Sequence, residues 1–317
     1  MFKYFKSLLF LGLGFFLLFI AFQGIDFAEF SIVLKNISLK WILLSMLLGY
    51  LAFVFRGLRW YLLITPLGYK PNVLNLINAI AFGYLFNSFI PRSGEIARCT
   101  SLNKVSNMPV STLFGHVILE RLIDFILLFL CILFALLLNY QDFMSFAAIF
   151  TLPKYMLLYM FVFIVFLVLI YRLKDYLISP GNLHKISSFI NGIKEGFLSI
   201  KKIPNKPLFW LYTLLIWLCY LMMTFVCFYC FSETSNLNLG QGLFIMVAGG
   251  LGMVVPTPTG IGSYHYLVIQ ALVSINITRE TSQFFAIIVH SSQAIMIIVA
   301  GCFAMISLYR QRKPDTA

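Results

Sequence analysis

Apolar runs recur from one end of the chain to the other, and their lengths set the first expectation. A membrane-crossing helix needs about 20 predominantly apolar residues. Runs near that length lie at Ser7–Phe22, Trp41–Ile64, Leu113–Leu138, Tyr155–Tyr171, Leu208–Phe231 and Phe284–Leu308, which predicts six full spans. Shorter pieces come in two pairs. Val73–Ile90 is followed, across Pro91-Arg92-Ser93, by Gly94–Ser106, which is too polar to cross lipid. Gln241–Val255 is followed, across Pro256-Thr257-Pro258-Thr259-Gly260-Ile261-Gly262, by Tyr264–Ile275. Proline and glycine free backbone groups that lipid cannot satisfy, so both broken pairs must be covered by helices or line a cavity. The segment with Asp26 and Glu29 reads as a short loop. Between Arg172 and Lys206, Leu183, Ile186, Ile190, Ile193 and Phe197 recur at helical spacing against His184, Lys185, Lys194 and Glu195. That pattern suits a helix lying on the membrane surface.

The distribution of Lys and Arg orients these elements. Cytoplasmic loops are enriched in Lys and Arg. If each broken pair re-enters from the side it started on, both termini, Arg92–Lys104 and the basic loop with its surface helix at residues 172–207 are cytoplasmic. Only Lys35, Lys40, Lys154 and Arg279, four of the 23 basic residues, then lie outside. Full crossing by Val73–Ile90 would put Arg92, Arg98 and Lys104 outside, so re-entry is expected. Residues 1–140 and 155–310 then show the same order of elements in opposite orientation, an inverted-topology repeat.

Composition agrees with an all-α polytopic membrane protein. Of 317 residues, 61% are hydrophobic and 11% charged, where soluble domains carry about 25% charged residues. Nothing is long and polar enough for a separate soluble domain, so residues 1–317 read as one membrane domain. The net charge of +12 is spread between spans, where it suits membrane orientation and anionic headgroups and gives no reason to invoke nucleic acid. The six cysteines lie mostly in apolar spans, and Cys227-x-x-Cys230 has no second pair to build a metal site. Met1–Lys6 with the following apolar run superficially resembles a signal peptide, but no small-x-small cleavage site follows, so an uncleaved first span is expected. No nucleotide-binding or hydrolase motif occurs, and no cofactor or metal is expected.

The candidate chemistry is ionisable residues at membrane depth, which are costly and usually functional. Arg92, Ser93, Gly94, Glu95 and Arg98 surround the first break. A helix starting near Gly94 would put Glu95 and Arg98 on one face and aim backbone donors at an anion, a phosphate site in which guanidinium forks match phosphate oxygens. The alternative is interfacial anchoring of charges. His116, Glu120 and Asp124 form one helical stripe, with Arg121 three residues before Asp124. It reads as a metal site, an ion pair of Arg121 with Asp124 or Glu120, or a cavity lining that reads headgroup charge or relays protons. Arg56 and Arg59 share a helix face in the second span. At the second break, Pro256, Pro258, Gly260 and Gly262 form either a simple bend or a close approach to ligand. His265 and His290 add polar groups there. Glu95, Glu120, Asp124, His116 and His290 are the candidate proton relay.

Phe89-Ile-Pro-Arg-Ser-Gly-Glu-Ile-Ala-Arg98, Glu120-Arg-Leu-Ile-Asp124 and Val255-Pro-Thr-Pro-Thr-Gly-Ile-Gly262, in that order, resemble the lysylphosphatidylglycerol synthase transmembrane (flippase-like) family. The resemblance implies movement of a phospholipid or polyprenyl-linked lipid between leaflets. Members that synthesise lipid carry a soluble aminoacyl-transferase domain after the membrane part. None follows here, so the chain is expected not to make the lipid. His265 stands where members often have glutamate, and Thr259 replaces a glycine.

The expected function is therefore that of a non-enzymatic lipid translocase of a bacterial-type inner membrane. It would move an anionic phospholipid or a polyprenyl-phosphate-linked lipid. Two alternatives remain: a membrane-embedded lipid-headgroup transferase, and a lipid-binding scaffold for a soluble transferase.

Overall fold

The computed structural model describes residues 12, 14–25, 27–149, 165 and 180–311. Among them every regular element is helical. Residues 14–21 are helical. There follow α1 (Phe27–Asn36), α2 (Leu39–Ile64), α3 (Val73–Phe89), α4 (Gly94–Ser106), α5 (Val110–Leu138) and α6 (Tyr140–Ala148). After the undescribed stretch come α7 (Pro180–Leu198), α8 (Lys206–Phe225), α9 (Leu239–Val254), α10 (Ser263–Ser274) and α11 (Arg279–Arg310). Four helical stretches are long and apolar enough to cross a membrane: Leu39–Leu67, Val110–Leu138, Lys206–Cys230 and Arg279–Arg310. They coincide with four of the six expected spans. The span expected at Tyr155–Tyr171, part of Ser7–Phe22, and the C-terminal basic residues Arg312 and Lys313 lie outside the described residues.

Local chemistry explains the boundaries. Pro66 and Gly68, the latter at φ 86°, close α2 in a single 3-10 turn. The Asn72 side chain accepts from Leu74 N–H at 2.8 Å and starts α3. Asn107, at φ 57°, ends α4 in the left-handed conformation. Asn238 and Gln241 form a reciprocal capping box on α9, each bond 3.0 Å. In the loop before α9, Glu233 accepts from Thr278 N–H and from the Thr278 and Thr281 hydroxyls, fastening that loop to the start of α11. A small desolvation penalty pushes this carboxyl up, and the hydrogen bonds outweigh it and hold it below the usual carboxylate range.

One expectation changes. The segment after the first span is not only a loop, because residues 27–36 form α1. Its apolar residues Phe27, Phe30, Ile32, Val33 and Leu34 mix with Glu29 and Lys35, a composition too short to register as a span. The amphipathic helix at 180–198 packs against the start of α5, where Gly192 meets Ser111 and Gly196 meets Thr112 and Gly115. Small residues on both helices allow that approach.

The packing has a reciprocal plan. The order long helix, short helix, break, short helix, long helix occurs in α2–α5 and again in α8–α11. The long helices α2 and α8 pack together; α3 packs on α11, and α9 packs on α5. The first short helix of each half thus leans on the closing helix of the other half. Both broken pairs fold back on themselves at glycine. Gly83 of α3 lies against Gly94 of α4, and Gly252 of α9 lies against Ser263 and Tyr264 of α10. Two apolar cores result, one around Trp60, Leu76, Leu102 and Phe209, the other around Phe228, Phe244, Val268 and Phe285.

The α9–α10 crossing supplies a stability test. A methyl group on Gly252 would stand 2.7 Å from Tyr264 Cα and 2.9 Å from the Ser263 carbonyl, both backbone atoms that cannot turn aside. Gly252→Ala is expected to destabilise by about 1–3 kcal/mol through overpacking. Gly250→Ala, which meets only Leu128 Cδ1 at 3.4 Å, should be neutral or gain up to about 1 kcal/mol of helix propensity. Thermal unfolding in detergent separates the two, and equal melting temperatures would contradict the crossing.

Candidate functional site: a charged cavity between the two breaks

A cavity of about 680 Å³ lies among α2, α3, α4, α5, α8, α9 and α11, and residues of both breaks line it. From the first break come Pro91 and Arg92, and from the second Val255, Thr257, Thr259 and Gly260. Arg92, held at φ 62°, donates through Nη2 to the carbonyl of Val254 at the end of α9. A guanidinium there complements the negative end of the helix dipole. The two breaks therefore meet directly.

One wall carries a cluster of ion pairs. Arg56 and Arg59, three residues apart on α2, both reach Asp124 of α5, at 3.1 Å and 3.2 Å. Arg98 of α4 binds Glu120 of α5 at 2.6 Å, and Arg59 is 3.9 Å from the same carboxylate. Arg121 reaches Asp124 at 3.6 Å, with 43% of its side chain exposed. Arg59 and Glu120 are completely enclosed. Aromatic rings complete the desolvated shell. Arg98 lies over the Trp60 ring at 4.8 Å, and Arg56 donates to the Tyr220 hydroxyl of α8 at 2.8 Å. The helical stripe thus delivers its two carboxylates to arginines from other helices.

The cluster carries four guanidiniums against two carboxylates, an excess of two positive charges. Charges at this depth are tolerated when paired, so the pairs account for most of the cluster but not for that excess. Among the described residues, Arg56 Nη1 and Arg98 Nε have no hydrogen-bond partner, although both side chains are buried and border the cavity. Glu95 also lines the cavity, with Oε2 unpartnered. The helix does begin at Gly94, yet the residue that engages Arg98 is Glu120, on another helix.

The second break is built from neutral groups. The Thr257 and Ser263 hydroxyls are 3.0 Å apart, and Ser263 donates to the carbonyls of Gly252 and Gly260, at 2.8 Å and 3.2 Å. Thr259, Gly260 and Gly262 all have positive φ. His290 Nε2 is 2.9 Å from the Thr259 carbonyl and faces the cavity. His265 packs on His290 at 4.6 Å between ring centroids. Its Nδ1 accepts from Gly262 N–H at 3.2 Å, the back-reaching bond that glutamate makes in a capping box. The N-terminal helical stretch covers this break from outside, Gly14 lying against Ile261 and Gly262.

Of the residues singled out from the sequence, Arg92, Gly94, Glu95, Arg98, Arg121, Asp124, Gly260 and His290 line the cavity. Ser93 closes the first turn by donating to the Ile90 carbonyl at 2.6 Å, and Glu120 stands behind the wall. Pro256, Pro258, Gly262 and His265 shape the second break without forming the cavity wall. His116 is fully enclosed, and neither ring nitrogen has a hydrogen-bond partner among the described residues. No group of three His, Cys, Asp or Glu side chains converges on a metal position among the described residues. Sequence reasoning missed Arg56 and Arg59 as ion-pair partners and Tyr84, Trp217 and Tyr220 as cavity-lining residues. For the two arginines the available signal was their depth in an apolar span.

The cavity also reaches the outer surface of the helix assembly. Its wall residue Phe125 is 69% exposed near the middle of the apolar helix α5, and Met253 and Val254 at the end of α9 are exposed beside it. Apolar side chains exposed on such a span face lipid.

A family model described as the lysylphosphatidylglycerol synthase TM region matches residues 6–301, and the chain belongs to that family. The UPF0104 membrane protein MJ1595 of Methanocaldococcus jannaschii is 23% identical over 336 aligned positions, covering 96% of this chain and 95% of that protein. No solved structure matches.

Removing one partner of a buried ion pair costs about 3–5 kcal/mol, because the other charge stays buried. Asp124→Asn, which leaves Arg56 and Arg59 facing a neutral amide, is expected to lose that much stability. Arg121→Gln, at a half-exposed position, should lose at most about 1 kcal/mol. Denaturation in detergent, run on both variants, checks the ranking. Similar losses would mean that Asp124 is not the centre of the cluster.

Proposed function

We propose that this member of the family is a lipid translocase of a cytoplasmic membrane, moving an anionic phospholipid or polyprenyl-phosphate-linked lipid between leaflets. The observation that carries the reading is the cavity: a positively charged wall buried in an apolar helix assembly, bordered by both broken helix pairs and reaching the lipid-facing surface at Phe125. A phosphate headgroup would sit against Arg56, Arg98 and Arg121, while its tails stay in lipid. Guanidiniums with free N–H groups match phosphate oxygens in charge and geometry.

Alternating access comes from the reciprocal packing. In this reading α2–α5 and α8–α11 are inverted-topology repeats, α3–α4 and α9–α10 are re-entrant pairs, and both termini are cytoplasmic. Substrate sites in such folds lie where the discontinuous helices meet, and transport is rocking of one repeat against the other. The contact between Arg92 and the Val254 carbonyl closes one side of the cavity, and its release opens that side. The membrane potential, about 2.3 kcal/mol per charge per 100 mV, acts on an anionic headgroup and supplies one driving force. Proton movement through Glu95, Glu120 or Asp124 supplies another.

Arg92 is exposed and outside the ion-pair cluster, so its replacement can test transport without unfolding the protein. Losing one charge-assisted hydrogen bond is worth about 1.5–3 kcal/mol. Arg92→Gln is therefore expected to slow leaflet exchange of labelled anionic lipid in proteoliposomes by about tenfold or more, with normal yield of folded protein. Wild-type exchange in the variant would remove Arg92 from the mechanism. A folded wild-type protein that exchanges no lipid would remove the translocase reading.

A further inference from the structure

The charge count of the cavity narrows the substrate class. We infer that the site takes a headgroup bearing two negative charges, a phosphate monoester, in preference to a singly charged phosphodiester. The inference rests on reading the cavity as a lipid site. The cluster of buried Arg56, Arg59 and Arg98 and half-exposed Arg121 with Glu120 and Asp124 has two guanidiniums more than carboxylates. Arg92 and Glu95 also line the cavity and add one charge of each sign, so the excess stays at two. The histidines do not change it while neutral.

Burying uncompensated charge is costly, and an anion of equal total charge is the ligand that compensates it most fully. A phosphate monoester carries about −1.5 to −2 at neutral pH and offers three acceptor oxygens. A diester carries one charge and leaves one guanidinium uncompensated. The donors suit the larger acceptor set, since Arg56 Nη1 and Arg98 Nε are free on two different helices and Arg121 is half-exposed beside them. The shared chemistry is a phosphate dianion. The surface-reaching wall at Phe125 favours one attached to a lipid over free phosphate.

The test measures thermal stabilisation of the full chain in detergent by farnesyl phosphate, by its methyl ester, by phosphatidylglycerol and by inorganic phosphate. A ligand that binds only the folded protein stabilises it by RT ln(1 + [L]/Kd). Farnesyl phosphate is expected to bind about tenfold more tightly than its methyl ester or phosphatidylglycerol. Arg121→Gln removes one excess charge and should weaken both ligands, the monoester more than its methyl ester, so that most of that gap closes. Equal affinity of the wild-type protein for monoester and methyl ester would overturn the inference. So would a loss in Arg121→Gln that is the same for both ligands. Inorganic phosphate binding as tightly as farnesyl phosphate would keep the dianion and overturn its lipid source. Leaflet exchange of the corresponding labelled lipids is measured separately. A dianion preference without exchange removes translocation and leaves the site. Equal exchange of monoester and diester lipids leaves translocation and removes the preference.

Discussion

Five charged side chains enclosed within an apolar helix assembly, with half-exposed Arg121 beside them, are the constraint on which the rest depends. Each would cost about 2.5–3.5 kcal/mol at the centre of a lone span. None is tolerable unless α2, α4 and α5 converge to pair them. Asp124 binds two arginines from α2, and Glu120 binds Arg98 from α4. The pairing fixes α4 against the wall, and α4 is the second limb of the first break. From there Arg92 reaches the end of α9 and positions the second break. A chain of electrostatic contacts thus runs from the enclosed cluster to the meeting point of the two halves.

Most of the helix pattern was legible because its boundaries are chemical. Pro66, Pro91, Pro256 and the glycines near them cannot continue a helix in place, so α2, α3, α4, α9 and α10 could be bounded to within a few residues. The pairing was not legible. Glu95 and Arg98 share a helix face and invite an ion pair, but Arg98 turns to Glu120, twenty-two positions away. Arg56 and Arg59 meet Asp124 across more than sixty residues of chain. Local spacing shows which side chains share a face, and only tertiary packing decides what that face meets. His265 is the instructive case. As a polar group beside a break it suggested a chamber, while its position three residues after Gly262 is that of a capping-box acceptor. The N-terminal signal was present in the spacing. The same position explains why a glutamate could stand there, since glutamate and a neutral imidazole can accept the same backbone N–H.

The division of labour between the halves bears on how the proposed cycle could run. Every charge of the enclosed cluster belongs to α2, α4 or α5. The second half offers the cavity hydroxyls, amide, indole and imidazole groups from Thr257, Tyr220, Gln293, Trp217 and His290. Rocking one half against the other would therefore not tear apart the carboxylate–guanidinium pairs, which are expensive to break in a desolvated setting. What such a motion must exchange is neutral or singly charged contacts, among them Arg56 with the Tyr220 hydroxyl and Arg92 with the Val254 carbonyl. Both donors are arginines that line the cavity. An arriving phosphate competes with those two acceptors for the same N–H groups, and it wins by its charge. Binding the headgroup to the first half and loosening that half from the second then become one event. A substrate without the charge would occupy the cavity and leave the halves joined.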